Sequence, residues 1–156
     1  DLDLALTDQN GAARHLADLK GRPMLAAMMY THCKSVCPRV TADLSEIEKR
    51  LGPVAGARVR FVLFSLDPEC DSPAAMREYA RQNGLDPRRW TLFSPSGDGT
   101  RDLAAVLGVK YRADESGEIQ HSAMIFLIDG DGVVRHRQVG INQDPQELIA
   151  AVQQMK

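Results

Sequence analysis

The stretch "MMYTHCKSVCPRV", residues 28–40, sets two cysteines, Cys33 and Cys37, between an apolar run and a proline, with three residues separating them. The run before them, "PMLAAMMY", has the length of a single strand. Pro38 disfavours the helical conformation at the residue before it and suits the first helical position itself. A helix is therefore predicted to start near Pro38, with Val40, Leu44, Ile47 and Leu51 forming one apolar stripe and Gly52-Pro53 ending it. The cysteine pair then falls in a turn between a strand and a helix N-terminus. Unpaired backbone N–H groups and the helix dipole favour negative charge there, and thiol pKa values in such places can fall from ~8.5 to roughly 3.5–7.5.

Three chemistries stay open for the pair. A four-residue helical step moves a Cα only ~6 Å along the axis. A disulfide tolerates Cα separations of about 4.4–6.8 Å, so the two sulfurs can oxidise together. The same closeness lets both hold one metal ion. Two buried core thiols are the plain alternative, since cysteine is among the most buried residue types. The usual redox dithiol has two residues between its cysteines, and this pair has three.

The surrounding pattern alternates strand and helix. The turn signal "DQNG" sits between "DLALT" and "ARHLADLKG" and predicts a leading hairpin or strand and loop. "RVRFVLFSL" reads as a buried strand, and Ser72-Pro73 opens a helix to about Asn83, closed by Gly84. "WTLFS" is a short strand. Thr100 is expected to cap a helix carrying Leu103, Val106 and Leu107, closed by Gly108. "SAMIFLID", the turn "GDG" and "VVRHRQVG" form a hairpin. Asp144-Pro145 with Glu147 resembles a capping box for a last helix through Leu148, Ile149 and Val152. This order predicts one domain over residues 1–156, a thioredoxin-like three-layer α/β/α sandwich with a mixed central sheet.

Composition narrows the function classes. The chain of 156 residues is 44% hydrophobic and 26% charged with formal net charge −2, so it reads as globular, and no basic surplus suggests nucleic acid. Its apolar runs are too short to cross a bilayer. The first residue is Asp1 rather than methionine, which fits a signal or anchor segment removed from the N-terminus. Three cysteines do not make a disulfide framework.

His121 precedes the strand "SAMIFLID". Alone it is a structural histidine; beside two thiolates it is a third ligand. Soft sulfur donors with one imidazole suit copper, Cu(I) most strongly, whereas zinc usually takes a fourth protein ligand that is not evident here.

Taken together, "YTHCKSVCP", "FSLDPECDSP" and "QHSAMIFLIDGDG" resemble the Sco/SenC family of thioredoxin-like copper proteins, from the "DLKGRP" segment to the last helix. The resemblance implies that Cys33, Cys37 and His121 bind copper, as Cu(I) and in some states Cu(II). It implies a metallochaperone for the binuclear copper site of cytochrome c oxidase, whose partner is the oxidase subunit bearing that site or another copper chaperone. A thiol–disulfide oxidoreductase reducing the cysteines of that site, through Cys33 and Cys37, is the alternative. Either would work outside the cytoplasm, in a bacterium in the periplasm, with membrane contact only through an N-terminal tether. Two departures stand out: Cys70 occupies a position where the family usually has arginine, and Ile119 and Gln120 stand where an acidic neighbour is often found. A peroxidase of related fold fits less well, since Thr31 stands only two positions before Cys33.

Among the remaining residues, Cys70 reads as a tolerated loop thiol, a regulatory thiol or an extra ligand. Asp67, Glu69 and Asp71 are expected to favour the following helix N-terminus, with Asp67 near the site. His15, His32 and His136 are expected at the surface. Met24, Met28, Met29 and Met124 are expected to pack in the core.

Overall fold

The computed structural model describes residues 4–31, 36–113 and 119–155. Strands β1 (Ala5–Asp8) and β2 (Ala13–His15) pair antiparallel, as the turn signal predicts. Asp8 Oδ1 closes the turn by accepting from the backbone N–H groups of Asn10 and Ala12 at 2.9 and 3.0 Å. A short 3-10 turn, Leu16–Leu19, leads to β3 (Met24–Met29), whose six residues are all buried. Helix α1 (Val36–Ala57) is followed by β4 (Arg60–Ser65), α2 (Pro73–Gln82), β5 (Trp90–Pro95) and α3 (Gly99–Leu107). Then come β6 (Tyr111–Ala113), β7 (Ile119–His121), β8 (Met124–Ile128), β9 (Val134–Val139) and α4 (Gln146–Gln154).

The main sheet has seven strands in the order β2-β1-β5-β4-β3-β8-β9, and β6 and β7 form a separate two-stranded ribbon. Strands β3, β4 and β5 run parallel, while β1, β8 and β9 join antiparallel, so the sheet is mixed. The two parallel steps, β3 to β4 and β4 to β5, lie on consecutive helical crossovers. Right-handed crossovers put α1 and α2 on the same face, and Tyr79 Oη of α2 lies 2.7 Å from Thr41 Oγ1 of α1. Helix α4 packs beside α1 on that face, and α3 with the 3-10 turn covers the other. The molecule is the expected three-layer thioredoxin-like sandwich. Its core is apolar on both sides of β3 and β4, where Phe61 and Trp90 stack with centroids 5.1 Å apart. The Trp90 indole N–H donates to Glu48 Oε1 at 3.1 Å, tying β5 to α1.

Local readings held with four corrections. Val40, Leu44, Ile47 and Leu51 are all buried as the stripe requires, but α1 begins at Val36, two residues before the expected start. Pro38 is still tolerated there, because an N–H in the first turn has no intrahelical partner to lose. Thr100 is not a cap. The helix starts two residues earlier, at Gly99 with Asp98 at the N-cap, and the buried Thr100 hydroxyl donates to the Ser65 carbonyl at 3.1 Å. Val106 is 56% exposed, so the buried face of α3 runs through Leu103, Ala104 and Leu107 instead. The capping box on α4 does not form. Pro145 occupies the N-cap and has no N–H for Glu147 to bind, so Asp144 Oδ1 accepts from Gln146 N at 3.1 Å instead.

As expected, the first helical run of α1 stops at Gly52, whose φ 75° and ψ 179° are non-helical, and a second short run follows it to Ala57. That backbone region is essentially restricted to glycine. A Cβ added at Gly52 meets nothing within 4 Å, so a side chain there would cost backbone energy alone. Gly52→Ala is expected to destabilise the protein by about 1–3 kcal/mol, read as a lower urea midpoint at unchanged slope.

Candidate metal centre

Parallel strands create an edge where their carboxyl ends stop, and ligands of open α/β sheets bind outside that edge. Strand β3 ends there at Met29 and leads through Tyr30 and Thr31 toward Cys33. Cys33 itself, with His32, lies outside the described residues. Cys37 is the second residue of α1, within the first helical turn rather than the preceding loop, where the dipole favours a thiolate. Strand β8 runs antiparallel to β3, so it starts at the same edge, and His121 closes β7 three positions before Met124. The fold thus brings β3, α1 and β7 to one edge. For Cys37 and His121 only the backbone position is described, and among the described residues no cluster of three or more His, Cys, Asp or Glu side chains could hold a metal.

Two buried contacts fasten this edge. The Tyr30 hydroxyl, on a residue only 2% exposed, accepts from Ile119 N at 3.1 Å, binding the ribbon to the end of β3. Within the ribbon Tyr111 pairs with His121, and Ser122 N donates to the Lys110 carbonyl at 2.9 Å just beyond the ladder. On the opposite side, Asp71 is 1% exposed and accepts three hydrogen bonds. Thr31 N donates to Oδ1 at 3.1 Å, Thr31 Oγ1 to Oδ1 at 2.5 Å, and Ser65 Oγ to Oδ2 at 2.6 Å.

The sequence reading, in which Asp71 favours the following helix N-terminus, did not foresee this buried role. The signal was present in Ser65, a polar residue closing an otherwise apolar strand, and in Thr31, but spacing cannot show that they share one acceptor. Asp67 is half-buried and Glu69 exposed, on the wall of an open cleft of about 710 Å³. The cleft is also lined by Leu66, Ser96, Arg101, Tyr111 and Ile119, so it borders the ribbon that carries His121.

Cys70 is exposed. The neighbouring Asp67 carboxylate pushes its thiol pKa up. A thiol kept protonated is a weak nucleophile and a weak soft-metal donor. His15 is exposed as expected, but His136 is half-buried on β9. Met24, Met28 and Met29 are core residues, at 5%, 3% and 1% exposure, and Met124 packs partly buried against them. No helix among the described residues is long and apolar enough to cross a membrane.

Comparison with known proteins adds identity to this geometry. A family model described as SCO1/SenC matches residues 2–156. The chain is 28% identical over 145 residues to the SCO1 protein homolog of Bacillus subtilis, covering 91% of this chain and 75% of that one. Against mitochondrial SCO2 relatives the chain spans about half their length, 50% of the bovine protein at 29% identity. The structure of Bradyrhizobium japonicum ScoI with copper bound superposes with a TM-score of 0.80 at 30% identity, covering 97% of this chain and 96% of that one. BsSco, described as a member of the Sco family of cytochrome c oxidase assembly proteins with a disulfide switch, matches at a TM-score of 0.83 and 25% identity, over 97% and 90% of the two chains. The chain belongs to the SCO1/SenC family.

Proposed function

We propose that this protein is a copper carrier for cytochrome c oxidase assembly, with Cys33, Cys37 and His121 as its ligands. The observation that carries this reading is the meeting of the end of β3, the first turn of α1 with Cys37 and strand β7 with His121 at one sheet edge, in a chain of this family. Copper bound to ScoI, 30% identical to this chain, supports it.

The donor set suits the cargo. Two thiolates, one of them in a helical first turn, favour a soft monovalent ion, and a neutral imidazole adds a third donor without further charge. Copper in either oxidation state is accommodated by such a set, with Cu(II) drawing an additional donor from solvent or protein. Transfer proceeds by ligand exchange with the acceptor, the copper-site subunit of the oxidase or another copper chaperone. Oxidation of Cys33 and Cys37 to a disulfide removes both thiolates, so the redox state of the pair gates loading. We place the protein outside the cytoplasm, in the periplasm of a bacterial cell, where its partner's copper site faces.

A second reading is reduction of the acceptor's cysteines by the same pair, favoured by the disulfide switch described for BsSco. Anaerobic titration of the reduced protein with Cu(I) tests the first. The parent is expected to bind one equivalent and Cys33→Ser and Cys37→Ser to lose tight binding. Unchanged stoichiometry and affinity in either serine variant would overturn the ligand set.

A further inference from the structure

We infer that Asp71, through Thr31, is a positioning residue for the cysteine turn, setting both copper retention and disulfide stability at the pair. The inference rests on the copper-carrier reading for one of its two readouts and on the fold alone for the other.

A carboxylate that is 1% exposed costs free energy to bury unless its oxygens are satisfied. Asp71 meets that cost with three neutral donors drawn from two other elements, the end of β3 and the end of β4. Among the described residues no ion pair involves it. Charge-assisted bonds of this kind run shorter and stronger than neutral ones, and the hydroxyl contacts at 2.5 and 2.6 Å fall in that range.

The geometry does more than fill a hole. Thr31 is held twice by one oxygen, once through its backbone N–H and once through its hydroxyl. Its position and its rotamer are therefore fixed together. Thr31 stands two residues before Cys33, a chain reach of at most ~7 Å. The adjacent Tyr30 hydroxyl takes the ribbon's Ile119 N–H. Residues 30 and 31 thus tie the departing chain to two different elements. The Asp71 arm is braced in turn, because Ser65 Oγ also accepts from Asp67 N at 2.9 Å and Asp71 N donates to the Asp67 carbonyl at 2.9 Å. A loop so tied cannot shift without carrying Thr31 with it.

Loss of the anchor widens the range of conformations open to the cysteine turn, and every state that needs the two sulfurs close then pays more entropy. Copper capture and disulfide closure should weaken in parallel. Thr31→Val, near-isosteric and retaining the backbone bond to Asp71, and Asp71→Asn, retaining volume, are the test pair, with Thr31→Ser as the conservative rescue.

Each is equilibrated with glutathione, where every disulfide closed between Cys33 and Cys37 reduces one glutathione disulfide to two thiols. A tenfold loss of disulfide stability is expected in Thr31→Val and Asp71→Asn, which for a two-electron couple is a potential about 30 mV less negative. Copper retention against a chelator should fall about tenfold in the same variants, while Thr31→Ser matches the parent in both. The double variant should cost little more than either single change.

Parent-like potentials in folded Thr31→Val and Asp71→Asn would overturn the inference, as would losses that simply add in the double variant. If the parent itself holds no copper, the carrier reading fails, and the potentials still decide the role of Asp71. If Asp71→Asn does not fold, the comparison of Thr31→Val with Thr31→Ser decides it alone.

Discussion

Replacing His121 with alanine is expected to lower copper retention on the order of 10²-fold or more, while leaving the rate at which Cys33 and Cys37 reduce a small disulfide near that of the parent. The magnitude follows from rank. Removing an outer partner of a metal ligand typically costs 10–100-fold, and removing a ligand itself should cost at least as much. The split between the two assays is the informative part, because dithiol exchange needs a thiolate and an accessible disulfide but no imidazole. Competition with a chelator and stopped-flow exchange, both anaerobic, measure the two quantities on one preparation. Copper retention unchanged by the substitution would remove His121 from the ligand set and leave the oxidoreductase as the better account.

Leu44→Ala should produce the largest loss of stability among simple core changes on α1. Leu44 is 0% exposed in the middle of the stripe that seats the helix on the sheet. Deleting its side chain removes transfer free energy and leaves a cavity, about 2–5 kcal/mol together. For a chain of this size that corresponds to roughly 4–20 °C in melting temperature. Calorimetry of the reduced, metal-free protein measures it. At temperatures where the variant remains folded, copper stoichiometry should stay at one, because α1 is held by several buried residues and its first turn is far from the cavity. A shift under about 1 kcal/mol would mean that the site collapses around the missing side chain far more completely than leucine sites usually do.

The strand–helix alternation and the buried stripe of α1 were legible because periodicity and burial are the same physical fact seen twice. Val40, Leu44, Ile47 and Leu51 could hardly face elsewhere. The edge at which the end of β3, the start of α1 and β7 meet was legible too, since a parallel β3–β4 pair followed by a closing hairpin leaves only one side where these ends gather. Caps were less so. Thr100 and Glu147 are residues that favour cap roles, but each role depends on where the helix begins, and a shift of two residues to Asp98 or a proline at position 145 removes it. What the linear chain concealed most fully was the anchoring of the edge. Asp71 lies 40 positions from Thr31 and Tyr30 lies 89 from Ile119, so no local pattern could pair them.

On the copper-carrier reading, the protein must also let go of its ion. The strand that ends in His121 belongs to a ribbon of two short strands outside the seven-stranded sheet, and a pair of strands by itself is only marginally stable in water. Among the described residues, the Tyr30 hydroxyl accepting from Ile119 N and the buried Ile119 side chain tie the ribbon to the body of the protein. With His121 as a ligand, as proposed, moving that arm aside would strip one donor from the ion without breaking a single rung of the main ladder, so the dissociation rate is expected to depend on how the ribbon is seated.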